Sequence, residues 1–248
     1  MNEIRIRFSR GEEVKYISHL DLMRTFERAL RRAELPVSYS QGFNPHPHLV
    51  FGLPLSVGIA SDAEYADIAF EKDVEPEAVK KMLNISLPKG LKVIDACKKN
   101  QKENIMAIIV AASYNIDIFF SESGICREYD DIEAYIDSKM NEFLELKEIN
   151  AEKNVKGVIK NIDIKPLIIR FNLKKVEQNS KESYANIYDA ASFNVLARAG
   201  SKANLKPDVL ADAFCKFAGI NPAYYSIYRT GLFVECEGKL IDPIHACI

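Results

Sequence analysis

Residues 4–33 read IRIRFSRGEEVKYISHLDLMRTFERALRRA, and two periodicities meet inside them. Ile4, Arg5, Ile6, Arg7 and Phe8 alternate apolar and charged side chains, the period-two pattern of a strand with one face buried. From Ser18 onward the period is that of a helix. Ser18 followed three residues later by Asp21 forms a capping box, and Leu22, Phe26, Ala29, Leu30 and Ala33 share one face. Pro36 stops the helix.

Working outward, Leu49–Leu55 and the alternating EYADIAF (64–70) predict two strands. EPEAVKKMLN (75–84) predicts a short helix with Pro76 near its start, and LKVIDACKK (91–99) a closing strand. The order β-α-β-β-α-β is the ferredoxin-like pattern. KKNQKEN (98–104) is a polar bridge without a core residue, after which the same order is read again, less cleanly. IMAIIVAASYNIDIF (105–119) predicts a strand or hairpin start, and DDIEAYIDSKMNEFLEL (130–146) an acidic amphipathic helix. Strands follow in GVIKNIDIKPLIIRFNLKK (157–175) and around ANIYDAASFNVLARA (185–199). KPDVLADAFCKFAG (206–219) predicts a helix opened by Pro207 and ended by Gly219, and SIYRTGLFVE (226–235) a last strand. The expected fold is α+β: two tandem ferredoxin-like (βαββαβ) halves with antiparallel sheets, spanning 1–100 and 105–248.

The chain has 248 residues, 48% apolar and 27% charged, which suits packed domains and excludes a disordered chain. No apolar run reaches the ~18–20 residues of a membrane helix, and MNEIRIRFSR has no apolar signal core. The five cysteines (Cys97, Cys126, Cys215, Cys236, Cys247) are odd in number and widely spaced, with no CxxC or CxxxCxxC. The expectation is a cytoplasmic chain, away from membranes, with no metal site and no cofactor of its own. Absence of GxGxxG, Walker, GxSxG and HExxH sequences removes the common nucleotide-binding and hydrolase readings.

Net charge is −2, but it is unevenly spread: residues 101–150 hold four basic against eleven acidic side chains, and seven of the eleven arginines lie within residues 5–32. Arg24, Arg28 and Arg31 form one stripe on the first helix, away from its apolar face. Such a stripe can track phosphates, aided by Arg5, Arg7 and Arg10 from the neighbouring strand. The plainer alternative is a solvated face in which Glu27 pairs with Arg31.

Past that helix lies SQGFNPHPHLVFG (40–52). Gly42 predicts a turn with positive φ. Pro45 and Pro47 push Asn44 and His46 toward extended backbone, so that His46 and His48 project to one side. With His19 or Asp21 as a third ligand they would suit a metal, and as imidazoles they suit acid–base chemistry near neutral pH. A rigid turn with hydrogen-bonded imidazoles, or a ligand or RNA contact, are the other readings. Phe43 is either a core residue or a stacking platform. His19, in the first helical turn, is favoured in its neutral form.

YISHLDLMRTFERALRRAELPVSYSQGFNPHPHLVFGLPLSVGIASDAEYADI (16–68), with IKNIDIKPLI (159–168), KPDV (206–209) and YRTGL (228–232), resembles the radical SAM-linked proteins, a domain of unknown function. Lys165 stands where that pattern more usually has arginine. The resemblance implies a partner, a cobalamin-binding radical SAM enzyme encoded beside or fused to such domains, often near genes for RNA processing. The expected function is an accessory RNA- or substrate-binding module, with Arg5, Arg7, Arg24, Arg28, Arg31, Phe43, Asn44, His46 and His48 as contacts. The alternative is a metal-independent endoribonuclease with His19 or His46 as general base, by analogy with the tandem ferredoxin-like CRISPR repeat-processing enzymes. A third reading makes 130–146 an acidic docking helix for the partner.

Overall fold

The computed structural model describes residues 2–120, 131–155, 158–183 and 186–247. Cys126, Asp130, Gly157 and Ala185 lie outside the described residues. In chain order the elements are β1 (Asn2–Arg10), α1 (His19–Arg32), β2 (Leu49–Phe51), β3 (Ala60–Phe70), α2 (Pro76–Ser86), β4 (Leu91–Lys98), α3 (Ile105–Ile108) and β5 (Ile109–Phe120). There follow α4 (Ile132–Glu145), β6 (Asn150–Val155), β7 (Val158–Asp163), β8 (Ile168–Ser183), β9 (Asn186–Arg198), α5 (Pro207–Ala218), β10 (Pro222–Cys236) and β11 (Lys239–Ile241). The fold is α+β, its sheet mostly antiparallel. Among the described residues no helix is long and apolar enough to cross a membrane.

The chain divides into two compact units. One holds Met1–Ala112, Ala199–Lys202 and Arg229–Ile248; the other holds Ser113–Arg198 and Ala203–Tyr228. The C-terminal part of β10 belongs with the first unit. Arg229 on that strand is buried and ion-paired to Glu64 of β3, at 2.9 Å.

In the first unit the strand order is β4-β1-β3-β10, with β2 paired to β3 and β11 to β10. β1 runs antiparallel to both β3 and β4. Its alternation works as the sequence predicts on one face: Ile4, Ile6 and Phe8 are buried against Leu22, Phe26 and Leu30 of α1 and Val79 and Leu83 of α2. Phe8, Phe26 and Phe51 form an aromatic cluster, with Phe8 and Phe26 centroids 4.8 Å apart. The predicted capping box is present, since Asp21 N–H donates to Ser18 Oγ at 3.1 Å and the Ser18 hydroxyl donates to the Asp21 carboxylate at 2.7 Å. That hydroxyl holds the Asp21 carboxyl below its usual range. The cap therefore stabilises the fold above the ordinary Asp pKa and loses that contribution as pH falls through the depressed one. Ser18→Ala is expected to cost about 1 kcal/mol, read from denaturant unfolding.

The other face of β1 corrects the expectation. Arg5 is fully buried, and its guanidinium forks onto the Asp67 carboxylate at 2.7 and 3.1 Å. It also donates to Gln101 Oε1 and the Pro243 carbonyl. In the bridge at 98–104, Lys102 and Glu103 are exposed, while the Lys99 side chain is 4% exposed and bonds Glu3. Asp67 also accepts from Ile105 N–H at 2.8 Å. That tie, with Asn104 capping Ala107 N–H, makes residues 105–108 a helical turn where the apolar run alone predicts strand.

In the second unit the order is β10-β5-β9-β8, and β6 pairs with β7 as a separate hairpin. The acidic helix α4 is capped by the Asp131 carboxylate and buries Ile136, Met140 and Phe143. Phe143, Phe171, Phe193 and Phe214 pack ring to ring with centroids 5.0–6.3 Å apart. Helix α5 opens on Pro207 and ends at Gly219 in the left-handed region, as the sequence predicts.

Candidate functional site

Helix α1 turns its arginines to water because its apolar positions are spent on the core. Leu22, Phe26, Ala29 and Leu30 are buried, while Arg24, Arg28 and Arg31 are exposed on other faces. Arg24 reaches Asp21 at 3.5 Å with both side chains more than half exposed, a pairing that water screens heavily. Among the described residues no carboxylate pairs with Arg28 or Arg31. Among the described residues the Glu27–Arg31 pair of the plainer alternative is absent. Glu27 Oε1 instead faces His46 Nδ1 at 3.7 Å, which sets the proline loop beside the arginine stripe. Arg32 is drawn away, donating to the Ser86 carbonyl at the end of α2.

Arg5 and Arg7 do not join that stripe. Alternation along β1 puts them on the opposite face of the strand from Ile4, Ile6 and Phe8, which pack on α1. Arg7, partly exposed there, donates to Asp242 at 3.0 Å and to the Asp62 carbonyl. Arg10 is also internal. It holds the carbonyls of Lys15 and Ile17 at 2.8 and 2.6 Å and so shapes the turn that leads into α1. Burial works against its charge and Arg229 adds to that, while Glu64 supports it. The guanidinium stays protonated regardless. Arg229 in turn holds the Leu53 and Pro54 carbonyls, and Gly58 N–H donates to Lys15 O. Arg10, Glu64 and Arg229 thus anchor two loops of the 16–68 stretch on one buried charge cluster. Sequence spacing could not show this, since Glu64 and Arg229 lie 165 residues apart.

The GFNPHPH loop is a closed turn. Ser40 N–H donates to His46 O at 2.8 Å, and His46 N–H donates to Ser40 Oγ at 3.0 Å. Tyr39 bridges Pro47, and His48 exchanges backbone bonds with Ser38 and Ala69. Gly42 has φ +130°, as predicted. Phe43 is not a core residue: its relative exposure is 112%. The Asn44 amide lies 3.2 Å from His46 Nε2. The two ring nitrogens of His46 thus face Asn44 and Glu27. His19 sits edge-on against Phe51 at 5.6 Å. Among the described residues no hydrogen bond or ring contact joins His19, His46 and His48. Among the described residues no three His, Cys, Asp or Glu side chains are grouped to hold a metal ion.

Lys165, from the IKNIDIKPLI stretch, donates its ammonium to the Leu146 carbonyl just past α4, while Asp163 accepts from the N–H groups of Ile149 and Lys165. It thus fastens the hairpin to a helix end. A cleft of about 270 Å³ in the second unit, lined by Asn115, Asp117, Lys174 and Ser192, lies outside the motif-bearing stretch. Its Ser192 hydroxyl donates to Asp117 at 2.6 Å.

The site is thus an arginine-striped helix beside a stiffened loop with one aromatic ring at its tip. The sequence pattern of a family described as an uncharacterized protein conserved in bacteria (DUF2344) matches residues 3–207, and the chain belongs to that family. No curated protein matches it. Among solved structures it is similar to the crystal structure of an unknown protein from Galdieria sulphuraria. That likeness has 7% identity and a TM-score of 0.24, covering 92% of this chain and 98% of the other.

Proposed function

We propose that this chain is an accessory module that holds RNA for a separate radical SAM enzyme. The observation that carries the RNA half is the juxtaposition of Arg24, Arg28 and Arg31 with the Phe43 loop, joined through Glu27 and His46. Arginine forks match phosphate oxygens; Arg28 and Arg31, without carboxylate partners among the described residues, have their charge available for them, and the Arg24–Asp21 pair is exposed and screened. The partner half rests on the resemblance of residues 16–68 to radical SAM-linked proteins. This chain has no CxxxCxxC of its own, so the radical chemistry is assigned to the partner. The proposed scaffold is a pair of ferredoxin-like halves. Supporting it are the order β4-β1-β3 with β2 on β3 in one unit and the order β10-β5-β9-β8 in the other.

The test is affinity capture of the intact chain, with the bound proteins and RNA identified. A cobalamin-binding radical SAM protein and RNA are expected together. The triple variant Arg24→Ala/Arg28→Ala/Arg31→Ala is expected to keep the protein partner and to lose the RNA by at least tenfold. Equal RNA recovery with wild type and triple variant contradicts the reading.

A further inference from the structure

Resting on that reading, we propose that the RNA is unpaired where it meets this face, with one base stacked on the Phe43 ring. A phenylalanine left wholly in water forgoes about 1.5–3 kcal/mol of burial, yet the fold holds Phe43 there. The Ser40–His46 clasp and the Tyr39–Pro47 bridge close the base of the loop. Gly42 at φ +130° turns its tip outward, and no atom lies within 4 Å of where its Cβ would be. The ring is thereby presented in advance, which lowers the entropy lost on binding.

The occupant follows from chemistry. Bases inside a duplex are stacked on one another and offer no free face, whereas an unpaired base can lie on a phenyl ring. The stripe from Arg24 to Arg31 spans about 10 Å at ~1.5 Å rise per residue, long enough to meet successive phosphates of one strand. An acidic peptide would match the arginines but has no flat π-face for the ring. An apolar protein surface would cover the ring but strand the charges.

The chain contains no tryptophan, so Phe43→Trp places a single reporter at the loop tip. This variant is titrated with an unstructured mixed-sequence RNA, with a fully paired duplex of the same sequence, and with polyglutamate. Single-stranded RNA is expected to quench the fluorescence, with the same midpoint as the anisotropy of labelled RNA. The duplex should bind at least tenfold more weakly and leave the emission unchanged. Phe43→Ala should weaken single-strand binding about tenfold at an unaltered melting temperature. RNA binding that needs Arg28 and Arg31 but neither quenches the reporter nor responds to Phe43→Ala overturns stacking and leaves the RNA reading standing. No RNA binding at all overturns both. Quenching by polyglutamate in place of RNA overturns the proposal in favour of an acidic protein partner.

Discussion

Replacing Asp67 with alanine is expected to lower the unfolding free energy by about 3–5 kcal/mol, because it strands a buried guanidinium. Arg5 is fully buried and spends Nε and Nη2 on the two Asp67 oxygens. The same carboxylate accepts from Ile105 N–H and lies 3.9 Å from the Lys99 ammonium. Urea unfolding reads the loss directly as a lower midpoint. The paired replacement Arg5→Met/Asp67→Leu removes both charges together, and it should cost far less than Asp67→Ala. If the paired variant is the worse of the two, the ion pair contributes more than mutual neutralisation.

Gly200→Ala is expected to cost roughly 3 kcal/mol or more, for two separable reasons. Its φ is +125°, and a Cβ there would lie 2.2 Å from the Ile109 carbonyl oxygen. Positive φ alone costs about 1–2 kcal/mol for an alanine, while the clash requires backbone to move. Ala199 N–H is bonded to the Val110 carbonyl, which ties the two segments at the point of contact. Gly238→Ala serves as the comparison, since φ is +73° and no atom lies within 4 Å of its Cβ position. Melting temperatures should fall modestly for Gly238→Ala and much further for Gly200→Ala. Equal shifts would mean that the carbonyl yields without cost.

What the sequence revealed of this fold was its local physics. The alternation at Ile4–Phe8, the Ser18 cap and the Gly42 turn each depend on neighbours within a few residues, and each is present. Where distant chain intervened, local reading failed. Period-two alternation puts Arg5 opposite Ile4 and Ile6, but it says nothing of Gln101 and Pro243 closing over it. Glu27 has Arg31 one helical turn away, yet it faces His46 from beyond Pro36. The helical turn at 105–108 reads as strand until the bond from Ile105 N–H to Asp67 is known. In the candidate site, the stripe and the loop were each legible, but their adjacency and the full exposure of Phe43 were not.

Two groups of arginine therefore have different roles. Arg5, Arg10 and Arg229 are buried and hold the scaffold, including the turn that leads into α1. Arg24, Arg28 and Arg31 contribute little to that scaffold, since exposed charges at these positions are screened by water. Changing them should alter binding while the fold persists.

The salt dependence of RNA binding tests the central claim most directly. For wild type, the logarithm of the association constant should fall linearly with the logarithm of salt concentration. Three phosphate contacts on a single strand contribute about 0.7 each to that slope. Arg24→Ala/Arg28→Ala/Arg31→Ala should therefore flatten it by about 2 at an unchanged melting temperature. A wild-type slope near zero, or a slope that the triple variant leaves unchanged, would contradict the account.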